Sequence, residues 1–242
     1  NQCACGAYPA SVPFYNYYND ITNVTIAGIN NSSTCATVAP GPGSQLNRYS
    51  NYTGSVGSGN LQQGQVANFS LTSTGCLYGA GSNFFQIYID YNQDGDFLDA
   101  GEVCYYQPAN AGGNQTLTGN FVVPPTASVG VTRMRIVNVN YGTPGTYNYA
   151  TYTYYYGETE DYCITISIPP PCAGTPTPGN TIASPNSIFA GQTTVLSLQN
   201  STSGTGITYQ WQSASSATGT WTNITGATSY TYTATPTATT WY

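Results

Sequence analysis

The sequence is short of charge. Of its 242 residues only 5% are Asp, Glu, Lys or Arg, against roughly 25% in an average soluble domain. Lysine and histidine are absent, and Arg48, Arg133 and Arg135 are the only cations. Without a basic patch nothing can displace counterions from nucleic acid or meet an anionic lipid surface, so neither is an expected partner. Without His or Lys, a Ser-His or Cys-His couple and a Schiff base are equally out of reach, which removes most nucleophilic enzyme chemistry. No run of about 20 apolar residues exists to insert in a bilayer. The start, Asn1-Gln2-Cys3-Ala4-Cys5, has neither a charged n-region nor an apolar h-region, so any leader is expected to have been removed already. Helical periodicity is scarce as well.

What is abundant is Thr, Ser, Asn, Gly and Tyr, the last numbering 23. That balance suits an exported, all-β protein, extracellular or on a cell surface. Seven cysteines, Cys3, Cys5, Cys35, Cys76, Cys104, Cys163 and Cys172, show no close metal-ligand spacing. They are expected to form disulfides in an oxidising compartment, the odd count leaving one unpaired. Cys172 stands alone after the first domain, and its partner is expected in chain beyond the sequence given.

Short β-branched and aromatic runs bounded by Gly, Asn, Ser and Pro predict strands over 21–27, 65–72, 83–91, 115–123, 131–140 and 162–168, several alternating as a sheet with one wet face should. Pro169, Pro170 and Pro171, then Thr175-Pro176-Thr177-Pro178-Gly179, cannot continue a ladder, because each Pro removes a donor and fixes φ. The expectation is an antiparallel β-sandwich over 1–168, a linker over 169–180 and an immunoglobulin-like sandwich over 181–242. In the latter, strands are predicted over 193–199, 207–212, 221–224 and 229–234, with Trp211 in its core. Its C-terminal strands are expected to be missing from the sequence given. Either the chain is a fragment of a longer protein, or a neighbouring subunit completes the sheet by β-strand addition, which would build a homopolymer.

Eight of the nine acids fall in two clusters: Asp90, Asp94, Asp96, Asp99 and Glu102, then Glu158, Glu160 and Asp161. Concentrating like charge is unfavourable unless a cation offsets it. Asp90-x-Asn92-x-Asp94-Gly95-Asp96 places oxygen donors at loop positions 1, 3, 5 and 7 with Gly at 6, the pattern of an EF-hand calcium loop. Hard oxygen donors in a flexible loop select Ca²⁺. Glu102 falls at position 13 rather than 12, so the closing ligand is either displaced by one residue or replaced by Asp99. With no helix on either side, calcium would brace a β-turn; the alternative is a solvated acidic turn.

The second cluster is expected just before the last strand of the domain, where Arg133 and Arg135 on the neighbouring strand would pair with it. The functional alternative is contact with the calcium loop, direct or from behind the ligands. As a glycosidase couple, Glu158 with Asp161 or Glu160 is poorly placed, since alternation along the chain sends neighbours to opposite faces. Tyr147, Tyr149, Tyr152, Tyr154, Tyr155 and Tyr156 crowd within ten residues and suggest a contact surface, because Tyr offers rigid amphipathic area; the plainer reading is a long hairpin with Tyr on both faces. Asn-x-Ser/Thr sequons stand at Asn23, Asn30, Asn31, Asn51, Asn68, Asn114, Asn200 and Asn223, many of them a by-product of composition.

Gly157-Glu158-Thr159-Glu160-Asp161-Tyr162 resembles the signature of the GEVED family of bacterial secreted β-domains, with Thr159 in place of Val. The likeness extends over most of residues 3–168, through Ile21-Thr22-Asn23-Val24-Thr25, Ile29-Asn30-Asn31, Ile87 to Phe97, and Thr132-Arg133-Met134-Arg135; the Tyr-rich stretch 141–156 departs from the shorter connection usual there. Residues 172–242 resemble the immunoglobulin-like repeats that follow such domains, through Thr208-Tyr209-Gln210-Trp211-Gln212 and Trp221 to Thr228. In those repeats a Cys usually follows, which would offer Cys172 a partner. The resemblance implies surface adhesins exported by type IX secretion, or modules appended to secreted enzymes. A non-enzymatic structural or adhesive module rigidified by calcium is therefore expected, its partners being other protein copies or cell-surface glycans. The alternative is a carbohydrate-binding accessory module.

Overall fold

Alternation of apolar and polar side chains shapes one wall of the first unit. Val66–Gly75 (β5) buries every second residue and exposes the others, at least in part, as a strand with one wet face does. It pairs antiparallel with Asn19–Ile26 (β1) and Gln115–Val122 (β9), and Ile29–Ser32 (β2) closes the four-stranded sheet in the order β2-β1-β5-β9. A computed structural model provides this description for residues 8–145, 147–171, 174–202, 204 and 206–242, and no helix occurs among them. The chain divides into two compact units, Asn1–Ile168 and Pro169–Tyr242.

The second sheet of the first unit is built on Ser82–Ile89 (β6), Gly130–Asn140 (β10) and Tyr156–Ser167 (β11), with Tyr49–Asn51 (β3) and Val103–Tyr106 (β7) at the ends of the order β3-β11-β10-β6-β7. Gly59–Gln62 (β4) joins β11 and Ala111–Gly112 (β8) joins β6. The sandwich is all-β and mostly antiparallel as expected, but β3 and β4 run parallel to β11. Between the sheets lie Ile21, Val24 and Ile26 of β1, Phe69 and Leu71 of β5, Ile87 and Ile89 of β6, Met134 and Ile136 of β10, and Ile164 and Ile166 of β11. Each such side chain contributes about 1.5–3 kcal/mol relative to exposure.

The expected wet face is missing from this sheet. β6, β10 and β11 are buried at nearly every position, because Phe84, Tyr88, Val137 and Val139 on the far side form a second core with Phe97, Tyr149, Ala150 and Tyr154. A second correction concerns β11. It begins at Tyr156, six residues before the predicted start, so Glu158, Glu160 and Asp161 sit inside the strand, paired with Asn138, Ile136 and Arg135 of β10. Acids read locally as poor strand formers; here two neighbouring strands and specific partners override that preference.

Cys35 and Cys76 form a disulfide and Cys104 carries a free thiol. Cys3, Cys5 and Cys172 lie outside the described residues. In the second unit Asn180–Ser184 (β12), Thr194–Gln199 (β13) and Tyr232–Ala234 (β16) form one sheet in the order β12-β13-β16, while Gln212–Ser213 (β14) pairs with Thr222–Asn223 (β15). The strands predicted over 207–212 and 221–224 thus shrink to two residues each. Trp211 is buried with Leu196, Ala227 and Ala234, and its indole N–H donates to the Ser229 carbonyl at 2.9 Å.

Candidate functional site

The acidic loop leaves the end of β6 and returns at β7. Asp90 is fully buried at its start. Its Oδ1 accepts from the Gln93 N–H at 2.6 Å, and its Oδ2 from the Gly95 N–H at 3.0 Å and the Tyr8 hydroxyl at 2.6 Å. Gly95, at φ +98°, permits the reversal that L side chains resist. On either side of it the carboxylates of Asp94, Asp96 and Asp99 bring oxygens within 4.8 Å of one another, in a part-exposed position. The Asn92 amide donates to Asp94 at 3.1 Å and Asp99 at 2.6 Å. Glu102 closes the loop from beneath, Oε1 accepting from the Tyr91 N–H at 3.0 Å and Oε2 from the Asp99 N–H at 3.2 Å. Burial pushes the Glu102 carboxyl up to about 7, against those hydrogen bonds and with the Asp90 charge adding to it.

The loop therefore divides its acids. Asp94, Asp96 and Asp99 converge with Asn92, an all-oxygen set suited to a hard cation once the amide turns its oxygen inward. Asp90 and Glu102 spend their oxygens on the backbone of the loop and, for Asp90, on the Tyr8 hydroxyl as well. When bound, calcium would supply the positive charge that three adjacent carboxylates otherwise lack. Phe97, fully buried at the centre of the loop, plugs it into the second core and packs on Tyr8 at 5.1 Å between ring centroids.

The second acidic cluster splits across the sheet, as alternation demands. Asp161 faces the second core and takes a two-pronged grip from Arg135, Nε to Oδ1 at 2.6 Å and Nη2 to Oδ2 at 2.8 Å, with Arg133 Nη1 on Oδ2 at 3.1 Å. Burial would raise the Asp161 carboxyl, but Arg135 and Arg133 beside it hold it below its ordinary value. Arg135 also donates to the carbonyls of Pro9 and Ala150. Arg133 lies over the Tyr8 ring at 4.4 Å, and the Tyr8 hydroxyl reaches Asp90. The arginines are thus joined to the acidic loop through one tyrosine. Glu158 and Glu160 point the other way, between the sheets, and take no part in the arginine network.

Among the six clustered tyrosines, Tyr149 and Tyr154 are each 4% exposed and belong to the second core. The contact-surface expectation is corrected for these two: the apolar far face of β6 and β10 needs a cover, and they supply it. Tyr154 also shares a hydrogen bond with Thr159 at 2.9 Å. Tyr147, Tyr152 and Tyr155 are exposed, and Tyr156 is half-buried. Tyr156 meets partners that sequence spacing could not show. Its ring lies 5.6 Å from Tyr15 and 6.0 Å from Tyr17, which are 5.5 Å from each other, all three planes within 29°. Three near-parallel rings at mutual distances so similar form overlapping tiles rather than a column. Tyr18, Tyr78 and Tyr141 pack edge-on around them.

Residues 84–165 match the GEVED domain, a span running from β6 through the acidic loop to most of β11. Residues 178–242 match a domain of unknown function, DUF8696. No match was found among curated proteins. Among solved structures the chain is similar to a Niemann-Pick type C2 protein from the Japanese carpenter ant, at 7% identity over 69% of this chain and 98% of that one, with a TM-score of 0.33. It is also similar to the CARDB domain of a Pyrococcus furiosus protein, at 10% identity over 69% of this chain and 99% of that one, with a TM-score of 0.27. Likenesses that weak carry no argument. What the comparisons place on this chain is a GEVED match over the strands and loops that hold both acidic clusters.

Proposed function

We propose that this chain is a non-enzymatic structural or adhesive module of a secreted or surface-displayed protein, stiffened by calcium at the loop of Asp94, Asp96 and Asp99. The observation that carries the reading is the exposed tyrosine surface. Phe14, Tyr15, Tyr78, Tyr141 and Tyr155 are between 46% and 72% exposed, and they come from four separate stretches of chain. Exposed aromatics gathered in this way mark contact surfaces more often than chance does. The calcium loop and the tyrosine-rich connection share the second core through Phe97 and Tyr149, so an ion that fixes the loop would also stiffen the segment that presents Tyr147, Tyr152 and Tyr155. The burial of all three acids of the second cluster supports the absence of glycosidase chemistry. An immunoglobulin-like character for residues 181–242 belongs to the same proposal, as do extracellular location and partners among other copies of the protein or surface glycans.

A second reading, a carbohydrate-binding accessory module, is favoured by the tiled rings of Tyr15, Tyr17 and Tyr156, since a broad aromatic face suits the apolar face of a sugar ring. Adhesion of coated beads to cells, with wild-type protein and a Tyr15→Ala/Tyr155→Ala variant, tests the first reading. Loss of adhesion with unchanged melting temperature is expected; equal adhesion would remove the surface from the account. Binding on glycan arrays, abolished by the same variant, would select the second.

A further inference from the structure

Residues 8–18, ahead of β1, form a strap with no strand of its own; its one ladder contact is a bridge from Tyr15 to Tyr156. Residues 9–13 make no backbone-to-backbone hydrogen bond among the described residues. Side chains of the sandwich hold them instead. Arg135 Nη1 donates to the Pro9 carbonyl at 2.7 Å and Arg48 Nε to the Pro13 carbonyl at 2.6 Å. Between them the buried Ser11 hydroxyl donates to the Tyr149 carbonyl at 2.6 Å, with Thr159 Oγ1 2.9 Å away. The Arg133 guanidinium lies 4.4 Å over the Tyr8 ring, so all three cations of the chain touch this strap.

The two ends of the strap meet different features. At one end the Tyr8 hydroxyl donates to Asp90 Oδ2 at 2.6 Å and its ring packs on Phe97 at 5.1 Å. One side chain thus touches both the start of the acidic loop and the plug at its centre. At the other end the Phe14 N–H donates to the Tyr154 carbonyl at 2.8 Å and the Tyr15 N–H to the Tyr155 carbonyl at 3.0 Å. These bonds set Phe14 against Tyr155 at 5.7 Å and Tyr15 against Tyr156 at 5.6 Å between ring centroids. Tyr17 and Tyr18 follow into the same aromatic surface. A segment held by side chains rather than by a ladder opens at lower free energy than the sheets beneath it, which makes the strap the movable part of that surface.

We propose, resting on the calcium reading of the loop given above, that this strap couples the acidic loop to the tyrosine surface, so that the state of the loop regulates the contacts made by Phe14, Tyr15 and Tyr17. Without a cation, Asp94, Asp96 and Asp99 repel one another. That repulsion works against the loop geometry in which Asp90 accepts from the Gln93 and Gly95 N–H groups and Phe97 supports the Tyr8 ring. A cation offsets the repulsion and favours the loop conformation that receives Tyr8. Such a difference between two states is what lets an ion shift the population of docked strap. The arginines keep the middle of the strap in place, and Tyr8 is the point at which it senses the loop.

Hydrogen exchange at the Phe14 and Tyr15 amides, followed in calcium and in chelator beside proteolysis near Gly95, tests the coupling. In the wild-type chain both amides are expected to exchange several-fold more slowly in calcium. Tyr8→Phe keeps the ring between Phe97 and Arg133 but removes the hydrogen bond to Asp90. It is expected to erase most of the calcium-dependent difference at Phe14 and Tyr15 while cleavage near Gly95 still responds to calcium. Wild-type amides that exchange equally in both conditions, with loop cleavage responding, overturn the proposal and leave the calcium reading standing. So does a Tyr8→Phe protein that keeps the full difference, because a purely structural Tyr8 would speed exchange alike in both conditions. If neither strap nor loop responds to calcium, the calcium reading fails and the coupling fails with it.

Discussion

At the residue scale the decisive group is Asp161. It joins Arg135, Arg133 and the Tyr49 hydroxyl, the last at 2.8 Å, while Arg135 extends the network to Pro9 and Ala150. Removing one partner of a buried pair costs about 3–5 kcal/mol, so Asp161→Asn and Arg135→Gln are each expected to lower unfolding free energy by about that much in urea titrations. A loss under 1 kcal/mol would contradict the assignment. The pH dependence follows in sign. A carboxyl held below its unfolded value of 3.8 contributes stability that is present above that pH and is lost as the pH falls through the folded value. Acid unfolding of the wild-type protein should therefore include a component below about pH 4 that Asp161→Asn lacks. Spacing alone revealed that acids and arginines would meet. It did not reveal which acid, because that depends on the strand extending back to Tyr156, where alternation sends Asp161 to one face and Glu158 and Glu160 to the other.

At the scale of elements, the β10–β11 ladder carries both functional faces, and Gly157 is its tightest point. At φ +125°, a Cβ there would lie 2.0 Å from the Asn138 carbonyl oxygen. Gly157→Ala is expected to cost on the order of 3 kcal/mol and to raise hydrogen exchange along β10 and β11; ordinary exchange protection in that variant would count against the close approach. The acidic loop was legible because its carboxylates are local in sequence. The tyrosine surface was only half legible: Tyr147, Tyr152 and Tyr155 lie outside as density suggested, but Tyr149 and Tyr154 turn inward to cover Phe84 and Val139. Tyr15, Tyr17 and Tyr78 join the array only because β1, β5 and the start of β11 end at the same edge. Such long-range assembly leaves no periodic trace in the chain.

At the scale of the whole molecule, few charges are used and each has a place. The all-β class and the break at the prolines follow from composition and turn residues, whereas the doubly buried large sheet does not, since a run such as Phe84 to Ile89 reads alike for one covered face or two. The central claim is that calcium stiffens a module that carries contacts rather than chemistry. The most direct measurement is thermal unfolding with calcium and with chelator, combined with limited proteolysis mapped along residues 90–102. Calcium is expected to raise the melting temperature by several degrees and to suppress cleavage near Gly95, with the Asp94→Asn/Asp96→Asn/Asp99→Asn chain losing the protection at the loop. Identical melting and identical cleavage with and without calcium in the wild-type protein would contradict the claim.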